Sequence, residues 1–137
     1  VRWRAQQELT VVKKPAFTRE QLKEYAKVSG DGNLIHLDDS VAKQMGFPSV
    51  IVHGMLSMAY LADSLLVSFP EKEYRILRLS TRFRRVAFPG DALSCGGKIK
   101  KVSDSGELVV SLWAKNQRDE IVADGEADVK PIALVNA

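Results

Sequence analysis

Two kinds of hydrophobic spacing divide this chain. Up to Ser68 the apolar side chains recur mainly at helical intervals, and from Tyr74 onward they alternate in part, as in strands. In "FTREQLKEYAKVSG" a helix is expected after Pro15, with Thr18 and Gln21 spaced for a reciprocal capping box and Gly30 as its stop. Leu22, Tyr25, Ala26 and Val28 form its expected apolar face. A second short helix is expected over Asp39 to Met45, capped by Asp38 or Asp39 and ended by Gly46 and Pro48. "SVIVHGMLSMAYLADSLLVSF" is the most apolar segment. From Gly54 its Met55, Leu56, Met58, Ala59, Leu61, Ala62, Leu65 and Leu66 cover nearly the whole helix circumference, so other structure is expected to wrap it.

Strand composition appears at the end of "AQQELTVVKK" and again in "YRILRLSTRFRRVAF", "DALSCGGKIKKV", "GELVVSLWAKNQ" and "EIVADGEADVKPI". The last four are separated by turn signals at "PGD", "SDSG" and "RDE". A strand, a long buried helix and then four strands predict an α+β fold in which an antiparallel sheet wraps a helix. With no internal repeat or linker, residues 1–137 are expected to form one domain.

Composition changes this picture little. A formal net charge of +3, with lysines and arginines interleaved with acids, lacks the dense basic stripe of a nucleic-acid binder. The single cysteine, Cys95, excludes an internal disulfide and a cysteine-based metal site, and it reads as a small strand residue. No secretory leader pattern opens the chain, and no apolar run approaches the ~20 residues that span a bilayer. A cytoplasmic protein with no membrane partner is therefore expected.

The chemistry gathers in "SGDGNLIH", Ser29 to His36. Gly, Asp and Asn favour turns, and each residue alone needs no further role. Together, Asp31, Asn33 and His36 are close enough in sequence to converge on one point, where a carboxylate and an imidazole can manage a water molecule. Downstream, "VIVHGML" opens the apolar helix at Gly54, whose backbone N–H can face a developing negative charge. A water-handling pair and an oxyanion donor are the parts needed to hydrate an activated alkene.

"SGDGNLIH" followed by "VIVHGML" resembles the hydratase motif of the MaoC-like family of hotdog-fold proteins, which includes (R)-specific enoyl-CoA hydratases and (3R)-hydroxyacyl-ACP dehydratases. The resemblance extends across nearly the whole chain, including the "FPGD" turn at Phe88 to Asp91. It implies that Asp31 and His36 are the catalytic pair, that Asn33 helps order the site, and that the Gly54 N–H binds the thioester oxygen. His53, Met55, Arg82 and Arg84 are the expected substrate-binding residues, the arginines as a landing site for coenzyme A phosphates or an acidic carrier protein, with a solvated or salt-bridged strand face as their simpler reading. His53 also has a simpler role open to it, fixing how the chain enters the helix.

The implied reaction is reversible hydration of a trans-2-enoyl thioester to a (3R)-3-hydroxyacyl thioester, with no metal or redox cofactor. The implied partners are an acyl-CoA or acyl-ACP substrate and a second copy of the chain, in a homodimer or higher homo-oligomer. The family commonly has proline where this chain has Leu34, and Gly32 separates Asp31 from Asn33, so a looser loop is expected. Two alternatives stand beside this expectation: an acyl-CoA thioesterase, and a non-catalytic hotdog subunit that binds acyl thioesters.

Overall fold

Helix α1, Arg19–Ser29, starts where Thr18 accepts the Gln21 N–H at 3.0 Å and stops at Gly30, which takes the left-handed conformation at φ 77°. The computed structural model describes residues 3–132 of the chain. Only half of the expected capping box forms, because the Gln21 side chain reaches instead to the Tyr60 hydroxyl on a later helix. A tertiary partner has displaced the local one. Leu22 is buried, whereas Val28, expected on the same face, is 85% exposed. Six residues on from Leu22, it has rotated to the far side of the helix.

A 3-10 turn at Leu34–His36 leads into α2, Asp39–Gln44, capped by Asp38. Helix α3 runs from Gly54 to Ser68. The strands are β1 Val12–Lys13, β2 Tyr74–Phe83, β3 Ser94–Val102, β4 Leu108–Lys115 and β5 Ile121–Pro131. They form one antiparallel sheet in the order β1-β3-β4-β5-β2. The sheet curls around α3, whose Leu56, Leu61 and Leu65 meet Ile99, Val110, Leu112 and Val129 in one hydrophobic core. This is the α+β arrangement that the spacing predicts.

The wrapping is less complete than expected. Met55, Ala59, Asp63 and Val67, four residues apart, form an exposed stripe along α3, and Asp63 pairs there with Lys14. Strand β2 is also shorter than its apolar pattern: it ends at Phe83, and the Arg84 N–H then bonds the Val122 carbonyl at 2.8 Å. Cys95 is buried in β3, and burial pushes its thiol up to about 11, so it is an unreactive core residue. Trp3 packs on Phe69, and Trp113 lies against Gly96 across the β3–β4 pairing.

The "FPGD" turn is closed from both sides. Gly90 takes φ 95°, the buried Asp91 carboxylate accepts the Phe88 N–H at 2.9 Å, and the Asp91 N–H returns to the Phe88 carbonyl at 2.9 Å. From this turn the Phe17 and Val52 segments are held: Gly90 donates to the Phe17 carbonyl and Val52 to the Ala87 carbonyl. The chain leading into α3 is thereby fixed to the segment that joins β2 to β3.

Candidate active site

The motif loop is built from side chains that hydrogen-bond the backbone two residues on. Ser29 accepts the Asp31 N–H at 3.1 Å, Asp31 Oδ1 accepts the Asn33 N–H at 3.3 Å, and Asn33 Oδ1 accepts the Ile35 N–H at 3.1 Å. Such turns suit Ser, Asp and Asn because their short polar side chains reach only that far. The loop is then stitched to residues 50–53: Asp39 accepts the Val50 N–H at 3.0 Å, and Ile51 donates to the Ile35 carbonyl at 3.1 Å. Local turn chemistry thus aims side chains that tertiary bonds hold in place.

His36 is buried, and its Nδ1 lies 2.8 Å from the Ile51 carbonyl. A carbonyl only accepts, so Nδ1 carries the proton, and in the neutral ring Nε2 keeps a free lone pair. That Nε2 lies 3.8 Å from Asp31 Oδ2. Asp31 Oδ1 is occupied with Asn33, so the carboxylate presents its second oxygen to the imidazole. At this separation both atoms can lie within hydrogen-bond distance of one water oxygen.

His53 stacks on His36 with ring centroids 3.8 Å apart and 21° between planes, and Tyr25 meets it edge-on at 4.8 Å. Its Nε2–H donates to the Asp31 backbone carbonyl at 3.1 Å, and its Nδ1 is buried without a partner among the described residues. Asp31, His36 and His53 offer ligand atoms within 4.8 Å of one another, the group among the described residues that could hold a metal ion. Burial pushes the His53 imidazole below its ordinary value of 6.5, against the bond to the Asp31 carbonyl, and a charge on His36 pushes it the same way.

The sign of this shift gives a stability prediction. A lowered folded-state value means that the unfolded chain binds the proton more readily, so the contribution is complete above pH 6.5 and is lost as pH falls below it. The thermal midpoint is expected to decline below pH 6.5, and His53→Gln to flatten that decline. Equal slopes in both proteins would remove His53 as the cause. Asp38 and Asp39, held below 3.8 chiefly by hydrogen bonds to Ser40 and Val50, add a second loss only as pH falls below that value.

Next in sequence comes Gly54. Helix α3 begins there with no side-chain cap, so its first N–H groups are left for solvent or a ligand. A Cβ on Gly54 would lie 3.3 Å from the Phe83 ring, which covers this position. Met55 is exposed beside it. Arg82 and Arg84 are not part of this cluster. Phe83 faces α3, so its strand neighbour Arg82 points to the opposite face, and Arg82 and Arg84 reach Asp124 at 3.7 and 3.0 Å.

Asn33 lies in the loop as expected, with its side chain capping the 3-10 turn rather than reaching His36. It does the ordering that a proline after it would do. Asn33 already has φ −58° and ψ 128°, a conformation suited to a following proline. Leu34 is exposed, opens the turn, and its N–H has no acceptor among the described residues. Leu34→Pro is therefore expected to stabilise the chain by about 0.4–1 kcal/mol. A lowered thermal midpoint would show that the loop is not preset.

Three contributors escaped sequence reasoning. The Ile51 carbonyl that orients His36 leaves no side-chain signal, and the Tyr25 edge on His53 needs the tertiary fold. The Phe83 ring over Gly54 was legible only as strand alternation.

Comparison with known proteins bears on the fold and the family. A family model described as "MaoC like domain" matches residues 3–120. The yeast peroxisomal hydratase-dehydrogenase-epimerase is 34% identical over 101 residues, covering 74% of this chain and 10% of that protein. The mitochondrial 3-hydroxyacyl-[acyl-carrier-protein] dehydratase of Arabidopsis thaliana is 31% identical over 117 residues, covering 81% of this chain and 68% of the relative. The chain thus spans about a tenth of the yeast protein and about two thirds of the plant one. Among solved structures, the (R)-hydratase from A. caviae involved in PHA biosynthesis superposes with a TM-score of 0.82 at 26% identity, covering 93% of this chain and 96% of that one. With the family model spanning most of its length and the curled sheet around α3 shared with these structures, the chain belongs to the MaoC-like family of hotdog-fold domains, related to (R)-specific enoyl-CoA hydratases and 3-hydroxyacyl dehydratases.

Proposed function

We propose that this chain adds water across the double bond of a trans-2-enoyl thioester to give a (3R)-3-hydroxyacyl thioester, and catalyses the reverse dehydration. The observation that carries this is the 3.8 Å approach of Asp31 Oδ2 to a His36 Nε2 whose other nitrogen is committed to Ile51. The substrate carbonyl oxygen accepts from the Gly54 N–H, which stabilises the enolate-like charge formed as water attacks C3. Asp31 and His36 hold that water, take one proton from it and return one proton to C2. Hydroxyl ends on C3, hydrogen on C2, and the pair finishes with the protons it began with.

The names of the relatives include both hydratases and dehydratases, and one specifies a carrier-protein substrate. The proposal therefore covers CoA and carrier-protein thioesters alike. Arg82 and Arg84, for which a phosphate landing site was one of two readings, take that role only by giving up Asp124. The retained Asp31 and His36 pair weighs against a non-catalytic subunit and is not what a thioesterase calls for.

A homodimer belongs to the same proposal, supported by the outer edge of β2, unpaired among the described residues, and by the exposed stripe on α3. No described helix is long and apolar enough to cross a membrane. The cytoplasmic placement expected from the sequence stays part of the proposal, although relatives carry peroxisomal and mitochondrial names.

The experiment is loss of enoyl absorbance on mixing the purified protein with crotonyl-CoA and then with a medium-chain enoyl-CoA, with the product's configuration determined. Formation of the (3R) product supports the proposal. A folded protein that turns over neither CoA ester nor the matching carrier-protein thioester would refute it.

A further inference from the structure

His53 is the one buried histidine whose nitrogens are both unavailable to a substrate. Nε2–H is spent on the Asp31 carbonyl, and Nδ1 is enclosed without a partner among the described residues. If packing alone mattered, an aliphatic side chain would fill the place without burying an unpartnered nitrogen, which costs free energy. What an aliphatic side chain lacks is the donor. Its hydrogen bond and its two aromatic contacts fall on other parts of the site: the Asp31 backbone, the His36 ring and the Tyr25 ring. Its own carbonyl accepts the Leu56 N–H at 3.0 Å, which ties it to the first turn of α3 beside Gly54.

We propose that His53 is a positioning residue: its Nε2–H fixes the Asp31 backbone and its ring face fixes His36, so that the water-handling pair keeps its spacing relative to the Gly54 N–H. This rests on the hydration proposal above. His53 takes no proton from water and gives none to substrate. Its role is to join the motif loop and the start of α3 into one rigid unit, although they lie far apart in sequence. A small displacement of such a pair is costly, because reacting groups must meet within a fraction of an ångström.

The test uses two neutral polar replacements of different reach. Glutamine sets its amide near the position of Nε2 and keeps a donor for the Asp31 carbonyl; asparagine stops near Nδ1 and does not. His53→Asn is expected to lose about 10²-fold in kcat on an enoyl-CoA, with KM changed by less than about threefold. His53→Gln is expected to recover most of that loss and to keep every ionisation of the wild-type pH profile. Two variants both near wild-type kcat would overturn the proposal. So would a glutamine variant whose pH profile has lost a limb, because His53 would then be moving a proton.

A second arm needs no turnover. The chain has 2 histidines, so nitrogen-15 spectra of the imidazoles are readily assigned. The expected result above pH 6.5 is the Nε2–H tautomer for His53, and for His36 a proton on Nδ1, where the Ile51 carbonyl accepts it. In His53→Asn the Asp31 resonances are expected to move, and in His53→Gln to stay; the His36 imidazole shifts in both, because each variant lacks the stacked ring. An Nδ1–H tautomer at His53, or Asp31 resonances unmoved by asparagine, overturns the positioning role even in a protein that hydrates nothing. Absence of turnover in the wild type would instead overturn the hydration proposal.

Discussion

His36→Asn and Asp31→Asn are each expected to lower kcat for enoyl-thioester hydration by on the order of 10²–10⁴, the size of a positioned acid or base. Both replacements preserve what holds the loop together. Asparagine at position 36 keeps an amide donor near Nδ1 for the Ile51 carbonyl while deleting the nitrogen that faces Asp31. Asparagine at position 31 keeps the side-chain oxygen that accepts the Asn33 N–H while removing the charge. The thermal midpoint is therefore expected to change little while turnover collapses, and KM to follow the wild type because neither atom grips the thioester. The check is steady-state hydration of an enoyl-CoA alongside a melting curve. Turnover within a few-fold of wild type in either well-folded variant would remove that residue from the chemistry.

Gly54→Pro is expected to cost a further 10²–10³-fold relative to Gly54→Ala, the usual price of one oxyanion donor. Proline suits the first position of a helix, and His53, with φ −59° and ψ 130°, already has the conformation that precedes one. The substitution therefore deletes the N–H without breaking α3. Bulk is the confounding effect, since even a Cβ here meets the Phe83 ring at 3.3 Å. Both variants are accordingly made in a Phe83→Ala background, where that ring is gone. If alanine and proline then lose activity equally, steric crowding explains the loss and the Gly54 N–H binds nothing in the transition state. A loss confined to proline assigns the donor.

The two predictions draw on different amounts of sequence information. Asp31, Asn33 and His36 were legible because turn-forming residues at short spacing leave few places for their side chains to go. Gly54 was legible because a glycine opens an apolar helix right after a histidine. Arg82 and Arg84 were open to two readings, a phosphate site and a salt-bridged strand face, and the structure turns them to Asp124 on the far side of the sheet. A cationic side chain in a strand reports only its charge, and which face it occupies depends on which face the helix covers.

The helices show the same division. The stop of α1 at Gly30 and the Asp38 cap of α2 depend on bonds within a few residues, and both were predictable. The Gln21 half of the capping box failed because Tyr60, 39 residues away, competed for the same amide. Only Asp63 marks the exposed stripe on α3 in the sequence, since the stripe's methionine, alanine and valine are as apolar as the buried face.

Local spacing determined the element order, the α+β architecture and the chemical content of the motif loop, because backbone hydrogen bonding and side-chain periodicity act over a few residues. Only the tertiary structure decided the tautomer of His36, the stacking of His53 and the cover of Phe83 over Gly54. Each of these joins segments separated by 15 residues or more, or rests on a backbone carbonyl that every residue possesses. A bond of that kind has no letter in the sequence, and it exists only once the sheet has closed around the helix.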